Sequence, residues 1–347
     1  MVRIQVWLAV LIPIVLGGAI PDLSTVYRTL DTSDYLTEIY YLNNLTAQYE
    51  QSEISFDSIS LLTRTSEDND DVSFQILNRA NSDLNQNITI SQIANITSLT
   101  SFDIDLPTFF LIHGWRNDIN STVNFIISET LLSIVDANVI VVDWDDLSDG
   151  LYVTAYNKVP HVGKVVGQFI LALEDMHDYS IENVQLIGHS LGAHICGYAG
   201  QETNGAIKVI VGLDPAGPLF LKLFPDRRLS EDDAQHVQVI HSCAGVLGVD
   251  YNVGHADFWP NGGHIQPGCS LDVSCYHGRS YYYFNESLTS SLFMAKTCGS
   301  YTSYTKSKCE DNAFVIMGGL SINTTLSGTF YLETNSSSPY ALGDIGL

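Results

Sequence analysis

Five stretches of the chain are short and almost continuously apolar: "PTFFLIHGW" (107–115), "NVIVVDW" (138–144), "NVQLIGHS" (183–190), "IKVIVGLDP" (207–215) and "HVQVIHS" (236–242). A strand with one wet face alternates apolar and polar residues. A run without alternation reads as a strand buried on both faces, as in a parallel sheet. Between these runs, "STVNFIISETLLSI", "KVVGQFILALEDMH" and "GAHICGYAGQ" read as helices. Strand–helix–strand alternation predicts an α/β fold with a mostly parallel central sheet flanked by helices. "ISLLTR" (59–64) and "VSFQIL" (72–77) read as strands of an antiparallel edge, and residues 313–334 return to strand-like alternation. Residues 245–283, rich in Gly, Pro and aromatics, read as loops beyond the sheet. No internal repeat is visible.

The N-terminus has a different pattern. In "MVRIQVWLAVLIPIVLGGAIP" one positive residue, Arg3, precedes an apolar stretch that ends in small residues. This layout predicts a secretory signal peptide over residues 1–19, cleaved after Gly18 or Ala19. The stretch is short for a bilayer span of about 20 residues, and no other segment is long and apolar enough, so no transmembrane segment is expected. Residues 20–57 are polar and lack a period. They read as a propeptide or a surface-hugging arm, leaving 58–347 as the main domain.

Composition narrows the classes. The chain has 347 residues, 45% of them hydrophobic and 16% charged, enough for a sizeable core. The net charge of −24 disfavours nucleic acid and anionic membranes as partners, but not a neutral lipid surface. The six cysteines, an even number, form no pair of metal-type pairs. Seven N-glycosylation sequons start at Asn44, Asn87, Asn95, Asn120, Asn285, Asn323 and Asn335, which fits a secreted chain.

The chemistry enters at Gly188-His189-Ser190-Leu191-Gly192. G-x-S-x-G marks a nucleophile elbow when a strand precedes it and a helix follows. "VQLI" and "LGAHICGYAG" supply both. A serine hydroxyl needs a base to accept its proton and a carboxylate to orient that base. In this fold the acid follows the serine and the histidine follows the acid. Asp214 closes the next apolar strand and is the preferred acid; Asp143 and Asp257 are its rivals. Among ten histidines, His277 is the last in the chain, as that order demands. His255 and His264 are its alternatives. His113, His189 and His194 sit beside glycine turns, and His241 ends a strand, so packing roles are expected for them. The oxyanion of acyl transfer needs two backbone N–H donors. Leu191, after the nucleophile, offers one, and Trp115, after His113-Gly114 in "FFLIHGW", offers the other.

With "FFLIHGW", "VVDW", "LIGHSLGAHICGYAG", "GLDPAGP", "GHADFWPNGGHIQPGC", "CYHGRS" and "GTFYLETNSSSPYALG", the sequence resembles the animal pancreatic-lipase family, in particular insect secreted lipases and phospholipases A1. The resemblance covers roughly 58–345 and implies an α/β-hydrolase catalytic domain. It implies Ser190, Asp214 and His277 as the triad, with oxyanion donors at Trp115 and Leu191. It also implies disulfides Cys269–Cys275, closing the lid loop, and Cys298–Cys309. Cys196 and Cys243 are then left to pair by elimination.

Three departures from the vertebrate pancreatic enzymes shape the expectations. The chain ends just after the catalytic domain, so no colipase-binding domain and no colipase are expected. The lid is only "SLDVS" between Cys269 and Cys275. The vertebrate calcium loop maps onto "PDRRLSEDD" (225–233), where Asp233 is kept but Ser230 stands in place of a carboxylate ligand. Neither metal nor cofactor is therefore expected. The expected function is a secreted, extracellular serine esterase acting on acyl esters of lipids in aggregates or membranes, of triacylglycerol lipase or phospholipase A1 type. The alternative is a non-catalytic lipid-binding or yolk-type storage protein on the same fold.

Overall fold

Alternate residues of a strand point to opposite faces, so a run that is apolar throughout must be covered on both sides. In the computed structural model, Phe110 and Ile112 of β5 (Thr108–Ile112) join one core, while Phe109 and Leu111 join another. β6 (Asn138–Asp143) divides in the same way, Ile140 and Val142 against Val139 and Val141. Fully burying one such side chain is worth about 1.5–3 kcal/mol.

The structure describes residues 68–83 and 85–343, and the backbone of an antiparallel hairpin, β1 (Glu38–Asn43) with β2 (Gln48–Glu53). The signal-peptide segment, the strand expected at "ISLLTR", Asn44 and the rest of 20–57 lie outside the described residues.

Among the described residues the central sheet has 11 strands. Its parallel body also contains β7 (Val184–His189), β8 (Val209–Leu213) and β9 (His236–Ile240), all at positions expected from sequence. β3 (Ser73–Leu77) pairs antiparallel with β6 and with the short edge strand β4 (Asn87–Thr89). Beyond β9 come β10 (Ala256–Pro260) and, at the far edge, β11 (Met294–Thr297), β12 (Phe314–Ile316) and β13 (Gly328–Leu332). The spatial order there is β9-β10-β13-β11-β12.

Helix α1 (Thr122–Ile134) contributes to one core; α2 (Tyr152–His177) and α3 (Leu191–Glu202) contribute to the other. α2 extends back past Pro160, further than "KVVGQFILALEDMH" indicates.

Residues 245–283 differ from the expectation of loops. They contain β10, buried along its whole length, and most of α4 (Val273–Ser287). Glycines flank β10 closely and Pro260 ends it, which hid a five-residue strand. α4 carries a glycine and a run of tyrosines rather than an apolar stripe. Asp272 starts it by accepting the backbone N–H groups of Ser274 and Cys275, and Tyr283 and Phe284 anchor it in the core.

Candidate active site

The elbow is a crowded turn. Ser190 sits between β7 and α3 with φ 59° and ψ −120°, a conformation that L-residues adopt only under external restraint. That restraint includes the Ser190 N–H bond to the Leu213 carbonyl (3.1 Å) and the Ala216 N–H bond to the Ser190 carbonyl (3.2 Å). A Cβ on Gly192 would collide with the Ile112 carbonyl, and one on Gly188 with the Gly192 carbonyl. The two glycines are therefore required by close approach. The result is a half-buried serine at the end of a central strand.

Asp214 directly follows β8, the next strand in the sheet, and is fully buried. Its Oδ1 accepts the backbone N–H groups of Ser242 (2.7 Å) and Cys243 (3.0 Å). Its Oδ2 faces His277 Nδ1 at 2.5 Å. His277 lies on the second turn of α4. Its ring packs 4.4 Å from that of His189, the residue before the serine. The structure thus brings His277 to Asp214 and against the elbow. The Cys269–Cys275 disulfide joins the start of α4 to the preceding loop.

The rivals have other partners. Asp257 accepts from His241 Nε2 (2.7 Å) and from the N–H groups of Val253 and Gly254. This second His–Asp pair is wholly buried, with the His241 ring stacked 3.8 Å from Trp259. Ser242 and Cys243, which hold Asp214, follow His241 directly. Asp143 ends β6 near Asp145 and Asp146; burial, then the Asp145 charge, push its carboxyl up to about 6. His255 Nδ1 accepts from the Val237 N–H, and His264 Nδ1 lies 2.9 Å from the Ala244 carbonyl.

The packing histidines have defined partners. His194 Nδ1 accepts the Leu229 N–H and Nε2 donates to the Ala216 carbonyl; burial pushes the ring down to about 3. His113 donates from Nδ1 to the Gly114 carbonyl and is pushed down by burial to about 4. His189 Nε2 lies 3.3 Å from the His277 carbonyl. Burial, reinforced by His277, holds His189 well below the usual imidazole range.

Sequence reasoning missed the contact of His189 with His277 and the two amides that hold Asp214. "His-Ser" adjacency was the only signal for the first. The second depends on β9 and β8 being neighbours and has no local signature.

Around the serine, a Cβ on Gly114 would lie 2.8 Å from Ser190 Cβ, so the loop carrying Trp115 abuts the nucleophile. The Trp115 indole donates to the Gly150 carbonyl (3.0 Å) and packs edge-on against Tyr152. Leu191 is the first residue of α3, where a backbone N–H has no partner within the helix.

The cysteines correct one expectation. Cys269–Cys275 and Cys298–Cys309 are bonded, but Cys196 and Cys243 are free and buried. They occupy separate apolar clusters: Cys196 in the core under α3, Cys243 against Cys269 and Tyr276. Burial pushes both thiols up, beyond the ordinary thiol range. Elimination failed because a buried cysteine is also a good small apolar residue.

Asp233, in the segment matched to a calcium loop, spends its carboxylate internally. Oδ2 accepts the Ser230 N–H (2.7 Å) and Oδ1 accepts from Gln201 (3.1 Å). Among the described residues no three His, Cys, Asp or Glu gather as a metal site.

A parallel sheet with a strained serine after a central strand, an acid after the next strand and a later histidine defines the α/β-hydrolase class. The chain matches the Lipase family over residues 45–340 and belongs to it. Pancreatic lipase-related protein 2 of Cavia porcellus is 35% identical over 243 residues, 68% of this chain and 56% of that protein. Lipase member H of Mus musculus is 38% identical over 64% of this chain and 51% of that protein. Phospholipase A1 3 of Polistes dominula is 38% identical over 66% of this chain and 77% of that protein. The chain thus spans about half the length of these vertebrate relatives and most of the wasp protein.

Proposed function

We propose that this protein is a secreted carboxylic-ester hydrolase that cleaves acyl esters of lipids through Ser190, His277 and Asp214. The observation that carries the reading is the 2.5 Å contact of His277 Nδ1 with a buried Asp214 beside a strained Ser190. His277 Nε2 takes the hydroxyl proton as Ser190 Oγ attacks the acyl carbon. The tetrahedral oxyanion is met by the backbone N–H groups of Leu191 and Trp115. The imidazolium then protonates the departing alcohol, and a water deprotonated by His277 releases the fatty acid. Asp214 stays ionised and holds the Nδ1–H tautomer. Secretion is supported by the signal-like N-terminus and by two disulfides, which persist in oxidising compartments. No helix of the described residues is long and apolar enough to cross a membrane.

A fluorophosphonate probe tests the chemistry. Wild type should be labelled and Ser190→Ala should not. An unlabelled wild type, or an equally labelled variant, would leave the non-catalytic lipid-binding reading in its place.

The lid region supports an open site and a phospholipid substrate. A long lid is moved by burying its apolar face in lipid, but this loop has five residues. Asp272 and Val273 already belong to the start of α4, and Val273 packs against the Cys243 cluster. Only Leu271, 69% exposed, is left to insert, for roughly 1.5–3 kcal/mol. Leu223, 84% exposed, and Phe224 offer further apolar contact on the 221–229 loop. An uncovered rim accommodates a polar head group, and the wasp relative is named a phospholipase A1. Activity on a short-chain ester should therefore rise smoothly through its solubility limit, and phosphatidylcholine should yield lysophospholipid by loss of the sn-1 chain. A sharp rate jump at the solubility limit would refute the open site. Absence of lysophospholipid would refute the substrate.

A further inference from the structure

The edge of the sheet far from the serine carries a second feature. β12 closes the sheet on that side, and its Phe314 and Ile316 are exposed. Among the described residues no strand pairs with β12 on its outer side, and an edge with apolar side chains is a template for self-association. Beside it runs an open groove of about 640 Å³. Ser290, Ser291 and Ser321 line it with hydroxyls, Phe314 and Ile316 with apolar surface, and Asn323 stands in its wall.

Asn323 begins the sequon Asn323-Thr324-Thr325. It is exposed, and its Oδ1 accepts both the N–H (3.1 Å) and the hydroxyl (2.7 Å) of Thr325. The carboxamide is thus oriented by its oxygen, while Nδ2 has no partner among the described residues. The other sequons differ. Asn285 lies within α4 with its Oδ1 buried, and its Ser287 hydroxyl is bonded to the Phe284 carbonyl. The Asn335 amide donates to the Pro339 carbonyl. Asn87, Asn95 and Asn120 are exposed, but none has the threonine hydroxyl on its Oδ1.

We propose that Asn323 carries an N-linked glycan whose first sugars lie in this groove and shield the β12 edge. In the transfer, Nδ2 loses a proton and bonds to the anomeric carbon of a polyprenyl-diphosphate-linked oligosaccharide, and polyprenyl diphosphate leaves. The secretory pathway supplies this donor. Sugar hydroxyls match the serine-lined wall, and sugar C–H faces match Phe314 and Ile316. The inference rests on the secretory part of the proposed function and not on its esterase chemistry.

The test is secretion of the full chain from insect cells behind an added leader, so that delivery does not depend on its own N-terminus. Glycopeptide mass spectrometry should find Asn323 predominantly occupied and Asn285 empty. Asn323→Gln and Thr325→Ala should each remove that glycan. By light scattering at tens of micromolar, both variants should shift from monomer toward dimer and larger species. Adding Ile316→Lys, a charge on the edge, should restore the monomer. An empty Asn323 overturns the site. A variant without the glycan that stays as monodisperse as wild type overturns the shielding role.

Discussion

Asp214→Asn should lower kcat by about 10⁴-fold while the protein stays folded. The argument rests on which way the new amide must face. Oδ1 of Asp214 accepts two backbone N–H groups, from Ser242 and Cys243. An asparagine keeps those bonds only by placing its carbonyl oxygen there. Its NH₂ is then directed at His277 Nδ1, which at present meets Oδ2. Two donors cannot face each other, so the imidazole must move its proton to Nε2. That nitrogen is the one required to accept the Ser190 proton. The side chain keeps its shape, and the buried site loses a charge rather than gaining one. Thermal unfolding should therefore show a folded variant, while ester hydrolysis and fluorophosphonate labelling both slow by similar factors. Activity within ten-fold of wild type would remove Asp214 from the mechanism.

The rival acids supply the contrast. Asp143→Asn should leave kcat within a few-fold, because nothing places Asp143 near His277. Asp257→Asn exchanges an acceptor of three bonds for a group that can accept only some of them. Its effect should fall first on stability, since an unsatisfied buried donor costs about 1–3 kcal/mol.

Much of this site could be read from the sequence because its parts sit where local patterns are strongest. Ser190 and Asp214 each follow a buried strand, and apolar runs of β7 and β8 are unambiguous. Leu191 lies just past β7 and Trp115 just past β5, so both positions are set by strand ends that apolar runs mark. What sequence missed depends on contacts made far apart in the chain. β10 is a five-residue strand whose identity comes from lying between β9 and β13. α4 is a helix of glycine and tyrosines whose stability comes from Tyr283, Phe284 and the Asp272 cap. The Cys196–Cys243 pairing failed for a related reason. Parity counts cysteines, while burial in two separate clusters decides whether they can meet.

The buried histidines should make the fold sensitive to mild acid, and His194 allows the effect to be isolated. The ring is locked neutral from both sides: Nδ1 must be bare to accept the Leu229 N–H, and Nε2 must carry the proton given to Ala216. Protonating Nδ1 would set a donor against a donor in a fully buried place. The folded value of about 3 therefore lies well below the unfolded value near 6.5. For a base lowered in this way, the unfolded chain takes up the proton first. The stability is complete above about pH 6.5 and is lost as pH falls toward 3, at up to about 1.4 kcal/mol per pH unit. His113, lowered to about 4 with Nε2 buried and unpartnered, acts in the same direction. Two carboxyls oppose them. Asp143 and Asp233, raised by burial to about 6 and about 7, favour the fold as pH falls. The wild-type slope is thus a sum of opposing contributions, but a difference between variants is not. Glutamine at position 194 can accept from Leu229 through Oε1 and donate to Ala216 through Nε2 without titrating. Urea denaturation at pH 7, 6 and 5 should therefore show His194→Gln losing less stability than wild type, by about 1.4 kcal/mol for each pH unit below 6. Parallel slopes for the two proteins would mean that His194 does not titrate on unfolding, and this account of acid sensitivity would fail.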